Sequence, residues 1–188
     1  MITLPWAPAL PIRTPRLLLR AHEHGDLDDI LEYHSDPDVV RYLPWPVRDR
    51  ALAAEALEPR LRQGRVDVEG EWLVLAIQLV DPDRSDGPVI GEVVLKCANV
   101  EKGEAELGYA VHRAHQRRGL AFEAASAMVR LATTEFGVSR LTANLDARNA
   151  ASSSLLERLG FHLLRSYEAE FKGELAPGLE YELLVAGP

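Results

Sequence analysis

One cysteine, no long apolar run and no excess of basic residues are the first informative shortages of this 188-residue chain. A lone Cys97 excludes an intrachain disulfide framework and any cysteine-clustered metal site. It falls in an apolar stretch that reads as a strand, so a buried, inert thiol is expected. No stretch reaches the roughly eighteen apolar residues of a membrane helix, so no membrane association is expected. The formal net charge of -8 argues against general nucleic-acid binding, which needs basic surface to displace counterions, and it favours a cationic substrate. Met1–Leu10 holds two prolines and no basic segment, so no leader is expected and the cytoplasm is the expected compartment. There are no repeats and no low-complexity linker. The six histidines are scattered. His22 and His24 could share a strand face, but without a third ligand nearby they read as solvated side chains, and no metal is expected.

What remains is an ordinary globular balance, with 47% hydrophobic and 27% charged residues. The length suits one domain over 1–188, with residues 1–15 as an extended, proline-rich lead. Arg16–Ala21 reads as a short strand. Gly25–Ser35 reads as a helix with Asp26, Asp28 and Asp29 at its N-terminus, ended by Pro37. Arg48–Gln63 has helical spacing with Leu52, Ala56 and Leu57 inward, and Pro59 should kink or shorten it. Strands follow at Trp72–Val80, Val89–Ala98 and Glu104–Val111, the first two joined by the turn Asp81–Pro88. Gly119–Phe136 is an alanine-rich helix closed by Gly137. Arg140–Leu145 is a strand, Asn149 caps a helix over Ala150–Leu159, and Phe161–Phe171 and Leu179–Val185 are strands joined by a turn over Gly173–Gly178. Seven strands and four helices in this order make a mixed α/β sheet with helices on its faces, not a doubly wound dinucleotide fold.

The sharpest local feature is Gln116-Arg117-Arg118-Gly119-Leu120-Ala121, between a strand and a helix. The first turn of a helix offers unpaired N–H groups and partial positive charge, which suit a pyrophosphate. Gly119 lets the backbone approach a ligand closely. Arg117 and Arg118 add charge at the mouth.

This loop resembles the Q/R-x-x-G-x-G/A acetyl-coenzyme A loop of the GNAT acetyltransferases. Three other segments resemble one branch of that superfamily, the ribosomal-protein-alanine acetyltransferase-like (Rim-type) proteins. They are Thr14-Pro15-Arg16-Leu17-Leu18-Leu19-Arg20, then Asp36-Pro37-Asp38-Val39-Val40-Arg41-Tyr42-Leu43, and Asn149-Ala150-Ala151-Ser152 followed by Leu159-Gly160-Phe161. With Glu106-Leu107-Gly108-Tyr109 ahead of the loop, the matches run in order over nearly the whole chain. The resemblance implies a GNAT fold whose mostly antiparallel sheet splays between the strands Glu104–Val111 and Arg140–Leu145. It implies acetyl-coenzyme A as cosubstrate, its pantetheine paired with backbone near Tyr109, Ala110 and Val111. Amides from Gln116 through Arg117, Arg118, Gly119 and Leu120 to Ala121 would hold the pyrophosphate, and Asn149 would bond the pantetheine from the far side. Asn149 also reads as a plain helix cap, and the two roles could compete for one oxygen.

The implied reaction is direct attack of a primary amine, on a protein N-terminus or a small molecule, upon the acetyl thioester. Such chemistry needs a proton acceptor, an acid near the leaving thiol and donors for the developing oxyanion. By resemblance Ser152 stands near the thiol, although a first-turn serine can equally bond backbone. For the base the resemblance favours Glu170, with Glu168 on the same strand face as a rival and Glu106 as second candidate; bound water could relay the proton. Three departures from the family pattern are Ala121 at the loop end, His115 in place of an aromatic, and Pro59 in the helix that walls the acceptor site. The acceptor therefore does not carry over. Members of the branch often pair, so the resemblance admits a homodimer. The alternative reading is a catalytically silent acyl-coenzyme A-binding module of the same fold.

Overall fold

Short hairpins and longer connections that carry the helices together build one sheet. The computed structural model describes residues 2–80 and 87–185. In chain order the elements are β1 (Ile12–Arg13), β2 (Leu17–Arg20), α1 (Leu27–His34), α2 (Pro37–Val40), α3 (Arg50–Arg60), β3 (Trp72–Leu79), β4 (Val89–Asn99) and β5 (Glu104–Val111). Then come α4 (Leu120–Thr134), β6 (Arg140–Asp146), α5 (Ala150–Arg158), β7 (His162–Phe171) and β8 (Glu174–Leu184). The described strands form one sheet in the order β1-β2-β3-β4-β5-β6-β8-β7. Every pairing is antiparallel except β5 with β6. The mixed α/β class holds, with the two-residue β1 added to the seven strands expected.

The core lies between the sheet and α4. Ala124, Ala125, Met128 and Ala132 are fully buried, and small side chains let this helix sit close on β4 and β5. The N-terminal lead is packed rather than loose: Trp6 is fully buried and stacks on Phe136 at 4.8 Å. A second cluster, Ile30, Tyr33, Val39 and Leu57, joins α1, α2 and α3.

Several local expectations need correction. Pro37 opens α2 instead of only ending α1. Asp36 caps it by accepting from the Asp38 N–H at 2.9 Å, and proline at the first helical position has no N–H to waste. Leu52 is 43% exposed, because the inward face of α3 is Ala53, Leu57 and Arg60. α3 runs through Pro59, ends at Arg60 and keeps the bond from the Leu61 N–H to the Leu57 carbonyl at 3.2 Å. The last hairpin turns on Lys172 and Gly173 alone, both left-handed with φ of 53° and 82°, so the strand continues through Pro177 and Gly178. His22 is buried, not solvated. Most of the Asp81–Pro88 turn lies outside the described residues.

Candidate active site

The site begins where two parallel strands part. β5 and β6 pair only at Glu104 with Arg140, Ala105 with Leu141 and Glu106 with Thr142. Arg140 staples this closed end, reaching Glu104 and Glu182 at 2.9 Å each. Beyond Glu106 the strands diverge, so one edge of β5 faces a cleft instead of a neighbour. On its other edge His112 N–H donates to the Ile90 carbonyl at 2.7 Å. Antiparallel alternation then turns the polar groups of Ala110 toward β4 and those of Tyr109 and Val111 into the cleft. Gln116 Nε2 caps the Val111 carbonyl at 2.9 Å. Among the described residues the Tyr109 N–H and carbonyl and the Val111 N–H have no strand partner, so an extended chain could pair with them. Gly91 makes the tight β4–β5 approach possible, because a Cβ there would collide with the Ala110 carbonyl.

The Gln116–Ala121 loop follows at the open end. Arg117 and Gly119 are both left-handed, with φ of 58° and 76°. For arginine this backbone is strained, and such strain concentrates where function requires it. Left-handed residues on either side of Arg118 turn the chain sharply before Leu120 and Ala121 begin the first turn of α4. Arg117 and Arg118 are exposed. These residues could hold an anion through their backbone N–H groups.

Across the cleft, Asn149 caps α5: its Oδ1 accepts from the Ser152 N–H at 3.2 Å. The cap engages the oxygen, and the Nδ2 donor takes no partner among the described residues. The Ser152 carbonyl accepts from the Tyr109 hydroxyl at 3.3 Å. Burial pushes the Tyr109 phenol up to about 12, against a smaller opposing effect of that bond.

A cavity of about 380 Å³ runs from this cleft to the opposite side of the sheet. Tyr109, Ala110, Asn149 and Ser152 line one end, and Trp45, Pro59, Arg60, Trp72 and Glu92 the other. A second cavity of about 250 Å³ adjoins it. Glu106, half-buried, lines both, as do Tyr42 and Asn144, whose amide lies 3.4 Å from the Glu106 carboxylate. Glu170 is exposed and lines only the second cavity; Glu168 is exposed and belongs to neither lining.

The sequence pattern of the acetyltransferase (GNAT) domain family matches residues 16–162. The chain is 31% identical over 175 residues to the uncharacterized N-acetyltransferase p20 of Bacillus licheniformis, covering 91% of this chain and 94% of that one. The chain belongs to the GNAT acetyltransferase family. It is also 31% identical over 163 residues to the [ribosomal protein uS5]-alanine N-acetyltransferase of Escherichia coli K12, covering 82% of this chain and 79% of that relative. In fold it is similar to the GNAT-family acetyltransferase of Bacillus anthracis, with a TM-score of 0.80 at 21% identity over 93% of this chain and 98% of that one. The protein is thus an N-acetyltransferase, with acetyl-coenzyme A as acetyl donor.

The Trp45–Glu92 end of the larger cavity holds residues that the motifs did not single out. Glu92, 3% exposed in the middle of β4, takes a bidentate contact from Arg60, Nε to Oε2 at 2.6 Å and Nη2 to Oε1 at 2.8 Å. Burial alone would raise the Glu92 carboxyl; the Arg60 guanidinium outweighs it and holds the group below its ordinary range. His22 lies 3.9 Å from Glu92 and 3.5 Å from Asp26. Arg60 and Arg48 also stack on Trp45, at 5.8 and 5.0 Å from the ring centre. A signal was present: Glu92 interrupts the apolar run Val89–Leu95, and a charge inside a buried strand needs a partner. The partner's position was not readable, because it comes from a helix 32 residues earlier.

Proposed function

We propose that this acetyltransferase moves the acetyl group to a primary amine by direct attack, with Glu106 accepting the amine proton. The observation that carries the reading is the place of Glu106. It sits at the last β5–β6 pair, where the cleft opens, and it lines both cavities. A cationic amine arriving from either cavity meets this half-buried carboxylate before it meets the thioester end of the cleft. Arg60 neutralises Glu92, so Glu106 is the carboxylate of the larger cavity with no cationic partner among the described residues. Glu170 in the wall of the second cavity is the second candidate for the base.

The cosubstrate supplies an activated acetyl thioester. The chain's own residues do the rest. The Tyr109 and Val111 backbone groups and the Asn149 amide hold the pantetheine arm, and the Gln116–Ala121 loop holds the pyrophosphate. Cleft-facing N–H groups of β5 stand where oxyanion charge would develop. Ser152 stands near the leaving thiol, as the family resemblance implies, and the neutral Tyr109 phenol closes the same end. The exposed edge strand β7, with Leu163 51% and Leu164 41% exposed, supports a homodimer formed through that edge.

The acceptor is tested with free-thiol release from acetyl-coenzyme A over a panel of amines. The panel holds a peptide with an N-terminal alanine, the residue named for the Escherichia coli relative, together with a polyamine and an arylalkylamine. Release that depends on one class of amine supports the reading. Release at the same rate with and without any amine contradicts it.

A further inference from the structure

Arg16 stands more than a hundred residues before the cofactor loop in sequence, yet it touches that loop. The Thr14–Leu17 turn between β1 and β2 lies against the N-terminus of α4. Glu123, in the first turn of α4, accepts from the Thr14 hydroxyl at 2.6 Å, from the Arg16 N–H at 2.8 Å and from Arg16 Nε at 2.7 Å. The other arm of the same guanidinium, Nη1, donates to the Arg118 carbonyl at 2.9 Å. Its Nη2 lies 3.5 Å from where a Cβ on Gly119 would stand.

We propose that Arg16 is a positioning residue for coenzyme A, holding the Arg118–Gly119 peptide so that the Gly119 N–H faces the pyrophosphate. This rests on reading the loop as the pyrophosphate cradle. A trans peptide is planar, and its C=O and N–H point in opposite directions. Pinning the Arg118 oxygen to Arg16 therefore aims the Gly119 N–H away from Arg16, to the open side of the loop. Among the described residues no acceptor takes that N–H. The pin matters because Gly119 tolerates both signs of φ. Without it the peptide can turn over and present a carbonyl oxygen where an anion must sit. Arg16 does a second thing with the same group. Glu123 is a carboxylate within one turn of the phosphate site, and the guanidinium offsets its charge. Burial would raise Glu123, but bonds from Thr14 and Arg16 outweigh that and hold it ionised below the ordinary glutamate range. A lysine cannot perform both tasks, since one ammonium lacks the planar fork that reaches two acceptors at once.

The test uses the full chain and titrates it with coenzyme A and with pantetheine, which lacks the pyrophosphate. The variants are Arg16→Met, Arg16→Lys and Arg16→Met with Glu123→Gln. Loss of one donor to a charged ligand predicts about tenfold weaker coenzyme A binding in both single variants. Pantetheine binding should not change. The added Glu123→Gln should not restore affinity, because it removes a charge and leaves the peptide unpinned. Arg16→Lys keeps a cation beside Glu123, so it gives the readout if Arg16→Met does not fold. Unchanged coenzyme A affinity in Arg16→Lys would overturn the proposal, as would equal loss for both ligands or full rescue by Glu123→Gln. A wild-type protein that bound pantetheine but gained nothing from the pyrophosphate would remove the cradle reading itself, and this proposal with it.

Discussion

The Tyr109 hydroxyl donates to the Ser152 carbonyl at 3.3 Å, tying β5 to α5 across the cleft that separates β5 from β6. Tyr109→Phe removes this tie and no ring packing. The expected cost is about 1 kcal/mol of stability, seen in denaturant unfolding, with a few-fold rise in KM for acetyl-coenzyme A. The phenol's raised value of about 12 sets its pH behaviour. Its stabilising contribution is complete below the ordinary tyrosine value of about 10 and is lost as pH rises from there toward 12. Wild type should therefore destabilise more steeply than Tyr109→Phe over that alkaline window.

Gly119→Val should abolish coenzyme A binding while leaving the fold in place. The left-handed φ of 76° strains any side chain there, and a β-branched one also crowds the Arg16 guanidinium, whose Nη2 lies 3.5 Å from where a Cβ would stand, so the Arg118–Gly119 peptide must shift. Circular dichroism checks the fold and calorimetry the affinity. Retained affinity would show that the pyrophosphate lies elsewhere.

Arg60→Met should strand the buried Glu92 carboxylate and cost about 3–5 kcal/mol, whereas the double variant Arg60→Met with Glu92→Met should recover most of it. Urea unfolding of both variants measures the difference. Equal loss in both would mean that packing, not the uncompensated charge, sets the cost.

His34 sits beneath Trp45, fully buried, with its Nδ1 facing Arg48 Nη1 at 3.2 Å. Burial pulls the imidazole down to about 4, with Arg60, Arg48 and His22 adding to the effect and Glu92 opposing it. The unfolded chain binds a proton at about 6.5, so between there and pH 4 it holds more protons than the folded chain. Stability from this residue is complete above 6.5 and falls as pH drops toward 4, by about 3 kcal/mol at most. His34→Gln should flatten that part of the stability profile in acid titrations of the unfolding midpoint.

Local chemistry explains what was legible in the sequence and what was not. The turn that leads into α4, the Asn149 cap and the run of small residues in α4 depend on neighbours within a few positions, so they could be read directly. The splay after Glu106 followed from family resemblance, and no spacing rule would have placed it. Contacts between distant segments were hidden: Arg60 with Glu92, His22 between Asp26 and Glu92, and Arg16 on the Arg118 carbonyl. Each joins residues with no shared periodicity. Pro37 misled because proline ends one helix and begins the next with the same fixed φ. Glu170 stood out by family analogy, while the weight on Glu106 comes from two cavities meeting at one strand position.

That meeting point is the centre of the account, and turnover of Glu106→Gln beside Glu170→Gln tests it most directly. With an acceptor amine in hand, thiol release is followed at saturating acceptor while coenzyme A affinity is measured in parallel. The expected result is a fall of about a hundredfold or more in kcat for Glu106→Gln, with coenzyme A affinity unchanged, and a smaller effect for Glu170→Gln. Wild-type turnover in Glu106→Gln, with the loss appearing in Glu170→Gln instead, would contradict it.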